Sequence, residues 1–144
     1  MDEIYHRALK LLRRRDYTIR QLRERLAEKS GEVPQETIET LLKKRFLDDG
    51  RFAFNLAAKR RDSHPSLVRE ELAQAGVSTE IIDRAIADRD WPSLQDVLRA
   101  KMIDWNLHAP IHRRQAARLF RALARLGYSE DEIREELEQL HEQQ

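Results

Sequence analysis

Two ten-residue segments near opposite ends of this chain align without a gap and share a pattern of residue types. Residues 17–26 (YTIRQLRERL) and 128–137 (YSEDEIREEL) both begin with a tyrosine and a hydroxyl residue, and both later carry an apolar residue, an arginine and a leucine at matching positions. Residues 68–72 (VREEL) repeat the end of this pattern in the middle of the chain. Internal repetition is typical of proteins that stack one small helical unit on the next. It predicts three tandem units, over residues 1–46, 47–90 and 91–144.

Apolar residues recur at helical spacing around and between these segments. Thr18 with Gln21 and Ser129 with Glu132 have the spacing of capping boxes, which start helices. Gly127 suits a helix end. About nine helices result, three in each unit. The sequence therefore predicts an all-α fold, an elongated and curved array of three tandem three-helix repeats whose last helix is acidic.

The corner between the third and fourth predicted helices carries more sequence signals than any other turn in the chain. Phe46, Leu47 and Phe52 are apolar, and we expect all three to be buried where the first two repeats meet. Asp48 and Asp49 stand at the start of the fourth helix, where a carboxylate can accept hydrogen bonds from unpaired backbone N–H groups. We therefore assign the five residues a structural role at this corner.

Composition limits the classes of protein to which the chain can belong. Charged residues make up 37% of its 144 positions, compared with about 25% in typical globular domains, which favours an extended array over one large core. The absence of cysteine excludes disulfides and thiol chemistry. Neither a signal-peptide pattern nor an apolar run of membrane-spanning length is present in the sequence. We expect a cytoplasmic protein without a membrane partner, and a monomer.

The small net charge of +1 conceals an uneven distribution. Residues 129–144 carry −6, so residues 1–128 carry +7. Arginine accounts for 21 of the 27 basic residues, and its planar fork suits carboxylate and phosphate partners. On the eighth predicted helix, residues 110–126, four arginines recur on one face: Arg114, Arg118, Arg121 and Arg125. On the first helix, Arg7, Lys10 and Arg14 form a shorter basic face.

The residues that define these features also resemble, in the same order and over nearly the whole chain, the family of the regulatory protein RecX. The matching positions are Leu11, Leu12, Arg14, Arg15, Tyr17, Thr18, Leu22 and Leu26; then Phe46, Leu47, Asp48, Asp49, Phe52 and Ala53; then Val68, Arg69, Glu71, Leu72, Gly76 and Val77; and finally Leu126, Gly127, Tyr128 and Ile133. The chain departs from the family at Arg45, where glycine is usual, and at residues 62–66, where a glycine-rich run is usual.

The resemblance implies a bacterial, non-enzymatic modulator that lodges in the helical groove of the RecA recombinase filament on single-stranded DNA. It implies that such a protein restrains filament growth, strand exchange and the coprotease activity that serves DNA repair and the SOS response. On this interpretation the partner is met by basic residues, for which the candidates are Arg14, Arg15, Arg51, Arg60, Arg61, Arg69, Arg114, Arg118, Arg121 and Arg125.

Two other functions remain open at the level of sequence. Three-helix units with basic faces can present a helix to DNA, so the chain could be a direct DNA-binding protein. Weak direct binding of DNA beside the RecA filament is also open. It could also be a helical adaptor with no role on DNA. Enzymatic and metal-binding functions are disfavoured: His108 and His112 are four residues apart, but Pro110 interrupts any helix that would align them. We expect no catalytic, cofactor-binding or metal-binding residues.

Overall fold

The computed structural model describes residues 3–141. Over this range the chain forms nine α-helices and no strand, apart from an isolated bridge between Ile111 and His141. The all-α prediction is thus confirmed, whereas the elongated shape and the repeat boundaries stay predictions. Glu142, the last acidic residue of segment 129–144, lies outside the described residues. The helices are α1 (Glu3–Arg14), α2 (Ile19–Ser30), α3 (Gln35–Lys43), α4 (Asp49–Lys59), α5 (Pro65–Gln74), α6 (Thr79–Ala87), α7 (Leu94–Asp104), α8 (Arg113–Arg125) and α9 (Glu130–Glu138).

The chain divides into two compact units. The first contains the residues up to Lys59 together with Arg69–Arg89, and the second contains Arg60–Val68 and the residues from Asp90 onward. In the first unit α1 packs on α2 and α4 packs on α6. Its main apolar core is built from α1, α2 and α3 and from the corner that follows them, with these buried side chains: Ala8, Leu22, Leu26, Val33, Ile38, Leu41 and Leu47.

The second unit has its own core between α7, α8 and α9. Helix α8 packs on both of the other helices, which also touch each other. Apolar residues at helical spacing on these helices supply the core, and its fully buried members include Leu119, Leu123 and Ile133. Because residues three and four apart share a helical face, the apolar stripe of α8 faces inward while its polar residues face outward.

Hydrogen bonds at the helix starts follow the sequence signals closely. Thr18 and Gln21 form both bonds of the predicted capping box, and the buried Thr18 hydroxyl also donates to the Ala75 carbonyl over 2.6 Å. The Ser129 hydroxyl accepts from the Glu132 amide at the start of α9. Helix α8 begins at Arg113, three residues later than predicted. His112 is still extended there, and the Gln115 side chain accepts a hydrogen bond from its N–H group.

The two aspartates of the central corner cap two different helices. Asp48 caps α4, because its carboxylate accepts a hydrogen bond from the Arg51 amide over 3.0 Å. Asp49 instead reaches α2, where it accepts from the Ile19 amide over 2.9 Å. Burial raises the pKa of the Asp49 carboxyl, the hydrogen bond from Ile19 lowers it, and the nearby Asp48 charge raises it, with a net upward shift. The corner is therefore tied to the start of α2.

Four helices end in the same hydrogen-bonded turn, in which one residue adopts a left-handed conformation. In this Schellman motif, the left-handed residue and the residue after it donate their N–H groups back to the last helical turn. The ends of α3, α5, α7 and α8 all show the two bonds. The left-handed residues are Arg45 (φ +62°), Gly76 (φ +90°), Asn106 (φ +55°) and Gly127 (φ +94°). Arg45 is thus in a conformation that glycine adopts without steric cost.

The residue after each left-handed position is apolar, but burial differs among the four. Val77 and Tyr128 are buried and Leu107 is partly buried, whereas Phe46 is 45% exposed. The prediction that Phe46 is buried is therefore wrong. Its neighbour Leu47 is 1% exposed and enters the core as predicted, and Phe52 is only half-buried. The turn at Arg45 directs Leu47, and not Phe46, towards the core of the first unit.

Replacing Arg45 with glycine is expected to raise the free energy of unfolding by about 0.5–1 kcal/mol. The left-handed conformation costs a residue with a side chain about 1–2 kcal/mol, and the greater freedom of glycine in the unfolded chain offsets part of that gain. Urea denaturation followed by circular dichroism measures the difference. Lys43→Gly, in the last turn of α3, is the matched control and should destabilise by about 1 kcal/mol. Equal destabilisation by both substitutions would contradict the strained conformation at Arg45.

Candidate partner-binding surfaces

The four arginines predicted on one face of α8 lie there in the structure. At 3.6 residues per turn, Arg114, Arg118, Arg121 and Arg125 fall within about 60° of one another around the helix axis. The buried residues of α8 lie on the opposite side, and all four arginine side chains are exposed. We call this set the α8 arginine strip. It is about 16 Å long, since each residue adds about 1.5 Å along the axis.

An aromatic ring holds one member of the strip in place. The Arg118 guanidinium carbon lies 3.8 Å from the centre of the Trp105 ring, in cation–π geometry. Lys101 Nζ lies 5.7 Å from the same ring. Trp105 caps the end of α7, so the contact positions the guanidinium against a fixed element of the second unit. Trp105 was not among the residues predicted from the sequence, although Lys101 four residues earlier was a usable signal for a cation beside the ring.

Within the described part of the chain, no ion pair neutralises the charge of the strip. Among residues 3–141, no carboxylate lies within ion-pair distance of any of the four arginines of the strip. Acidic α9 pairs instead with its own arginine, because Arg134 lies 3.4 Å from both Glu130 and Asp131. The strip is therefore an exposed surface that can pair with an anionic partner.

A second basic surface lies between α1 and α2 in the first unit. The predicted basic face of α1, Arg7, Lys10 and Arg14, lines a groove with a volume of about 380 Å³. Arg25 and Lys29 of α2 line the same groove, and neither was predicted from the sequence to lie beside α1. We call these five residues the α1–α2 basic groove. It forms because the two helices pack side by side in the first unit.

Three of the other candidate arginines are engaged within the fold. Arg51 donates to the carbonyls of Arg45 over 2.8 Å and Phe46 over 3.3 Å, which ties the corner together. Arg69 pairs with Asp83 at 2.7 Å. The Arg15 guanidinium lies 4.2 Å from the centre of the Tyr17 ring. These contacts give Arg15, Arg51 and Arg69 structural roles that their sequence positions did not reveal.

Arg60 and Arg61 follow directly after α4. Arg60 is half-buried, and Arg61 is exposed. The structure thus distributes the ten candidates among four places: the α8 arginine strip, the α1–α2 basic groove with Arg14, the end of α4, and the internal contacts made by the other three.

Residues 3–141 contain no group of three or more His, Asp or Glu side chains placed to hold a metal ion. His112 stands at the start of α8, and His108 precedes it in an irregular segment, so the two do not share a helical face. No helix in the described range combines the length and the apolar character that a membrane span requires.

Comparison with known proteins identifies the family. No protein-family model matches the chain. The chain is 34% identical over 134 residues to the regulatory protein RecX of Halorhodospira halophila, and this alignment covers 88% of this chain and 81% of the relative. It is 33% identical over 145 residues to the regulatory protein RecX of Trichlorobacter lovleyi, covering 93% of each chain. A RecX from Stenotrophomonas maltophilia is 33% identical over 135 residues, with 89% and 81% covered. Identity at this level over nearly the full length shows that the chain belongs to the RecX family of regulatory proteins.

Proposed function

We propose that this protein regulates the RecA recombinase by binding the RecA filament on single-stranded DNA. It acts in the cytoplasm, without catalysis, and inhibits filament growth, strand exchange and coprotease activity. Membership of the RecX family supports a regulatory role. The observation that carries the proposal further is the α8 arginine strip, an exposed row of four guanidinium groups without ion-pair partners in the described part of the chain.

The chemistry of the strip suits a surface that presents carboxylates at intervals. Guanidinium groups form paired hydrogen bonds with carboxylates and phosphates, and those bonds are stronger than neutral ones. Four such groups along about 16 Å of helix can meet several anionic side chains at once. Trp105 restrains Arg118, which reduces the conformational entropy that this side chain loses on binding.

The charge beside the strip favours a protein partner over bare DNA. Helix α9 packs on α8 and carries six carboxylates against a single arginine. At physiological ionic strength charges influence each other over about 8 Å, so these carboxylates lower the attraction of the second unit for a dense row of phosphates. A protein surface whose carboxylates are spaced apart has a lower density of negative charge than a DNA strand, so it is less strongly repelled. We therefore assign RecA, and not DNA, as the main partner of the strip.

Inhibition in this proposal is steric and electrostatic. A helical protein seated on the filament occupies the space that incoming DNA or another partner of the filament would need. The strip fixes its position through ion pairs that are released and reformed without covalent chemistry. Such ion pairs mainly increase the association rate and the specificity. Because salt screens exposed charges, inhibition should weaken as the salt concentration rises.

Co-sedimentation with RecA filaments assembled on single-stranded DNA tests the proposal. The protein should sediment with the filament at physiological salt, and much less with DNA alone or with RecA alone. Sedimentation with DNA alone, without further binding when RecA is added, would make direct DNA binding the correct function. Failure to sediment with any of the three would leave an adaptor role away from the filament.

A further inference from the structure

The α1–α2 basic groove gathers more positive charge than its surroundings neutralise. Its lining contains five cations and one acid, Glu28. Glu28 already pairs with Arg25 at 2.9 Å. Arg7 donates to the Ser30 hydroxyl, a neutral partner. An excess of four positive charges is therefore concentrated around a groove of about 380 Å³.

Three of the five cations remain available for a ligand. Lys10, Arg14 and Lys29 are exposed, and within residues 3–141 none of them has a carboxylate at ion-pair distance. They come from both walls of the groove, two from α1 and one from α2. Like charges around one groove repel one another, and this repulsion lowers the stability of the fold unless an anion binds between them.

We propose that this groove binds the phosphodiester backbone of single-stranded nucleic acid. From Arg7 to Arg14 the wall of α1 is about 10 Å long, which matches two or three successive phosphates of a strand. A flexible strand can follow a groove between two helices, as strands do in the positively charged grooves of proteins that bind single-stranded DNA. A folded protein surface cannot follow the groove in this way, because each of its carboxylates would have to enter the groove on a separate side chain.

The composition of the lining also defines what the groove does not recognise. Leu11 is its only apolar lining residue, and no aromatic ring lies along it. Proteins that distinguish or stack bases of a single strand use aromatic side chains, whose contribution is about 1–3 kcal/mol per base. Contact through phosphates alone predicts that the groove binds different bases equally and that its affinity depends steeply on salt.

This site goes beyond the proposed binding of the RecA filament, because it lies on helices of the first unit and needs no RecA. Fluorescence anisotropy with a labelled oligothymidylate, in the absence of RecA, measures it directly. With two or three phosphates neutralised, the logarithm of affinity should fall with the logarithm of salt with a slope of about −1.4 to −2.1. Oligoadenylate should bind within about threefold of oligothymidylate.

Neighbouring arginines of α1 provide a matched pair of variants. Arg14→Gln removes a cation that lines the groove, whereas Arg13→Gln removes the same charge from a residue outside it. Arg14→Gln should make the slope shallower by about 0.7 and lower affinity about five- to tenfold at low salt, and Arg13→Gln should leave the slope unchanged. The double variant Lys10→Gln/Lys29→Gln should remove about 1.4 from the slope. Circular dichroism checks that all three variants keep their helices.

Three results would overturn the proposal. The first is an equal effect of Arg14→Gln and Arg13→Gln, which would mean that only overall charge matters. The second is competition by polyglutamate as effective as that of oligothymidylate at the same charge concentration, which would assign the groove to acidic protein segments. The third is a preference of more than tenfold for one base, which backbone contact alone does not produce.

Discussion

Replacing Leu47 with alanine is expected to lower the free energy of unfolding by about 2–5 kcal/mol. Leu47 is 1% exposed and belongs to the core formed by α1, α2 and α3. Removing a buried leucine side chain loses its transfer free energy and leaves a cavity that the neighbours fill only in part. Leu47 also directly precedes Asp48, the cap of α4, so a shift of the backbone would disturb that cap as well. Urea denaturation followed by far-ultraviolet circular dichroism measures the loss.

Phe46→Ala is the control for Leu47→Ala, because the two residues are adjacent and both are large and apolar. Phe46 is 45% exposed, so its truncation should cost less than about 1 kcal/mol despite the larger side chain. The half-buried Phe52 should give an intermediate value. A larger loss for Phe46→Ala than for Leu47→Ala would contradict the orientation of the corner described above.

Reversing two charges of the α8 arginine strip is expected to abolish filament inhibition. Arg118→Glu/Arg121→Glu changes the charge of the strip by −4 at its centre and places carboxylates where the proposed partner has its own. Like charges brought together at an interface cost several kcal/mol, so affinity for the filament should fall at least a hundredfold. The contact with Trp105 is lost too, at a cost of about 0.5–1 kcal/mol to stability. Inhibition of RecA-dependent strand exchange is the measurement.

The matched control for this reversal is Arg99→Glu/Arg113→Glu, which makes the same change in charge within the same unit. Arg99 is exposed on α7, and Arg113, the first residue of α8, lies about 100° around the helix from the strip. A glutamate in the first turn of a helix is favoured by the helix dipole, so folding should be maintained. Both double variants should retain wild-type helicity. If the control weakens inhibition as much as the strip variant does, the strip is not the binding surface.

Local signals in the sequence determined most of the secondary structure. Helix starts such as Thr18 with Gln21 and helix ends such as Gly127 depend on groups within about four residues, so the sequence was sufficient to place them. The α8 arginine strip was predictable for the same reason, because its face is defined by the period of the helix itself. Where a local signal is weak, as at the start of α8, the boundary moved by three residues.

Only the tertiary structure decided which of these residues meet. At the corner, Phe46 and Leu47 are equally apolar in sequence, and the left-handed turn at Arg45 determines which one is buried. Asp49 caps a helix that begins 30 residues earlier. Such contacts depend on how whole helices pack, which is a sum over many apolar contacts that no short segment contains. For the same physical reason, Arg25 and Lys29 join the basic residues of α1 in one groove only after α1 and α2 have packed together.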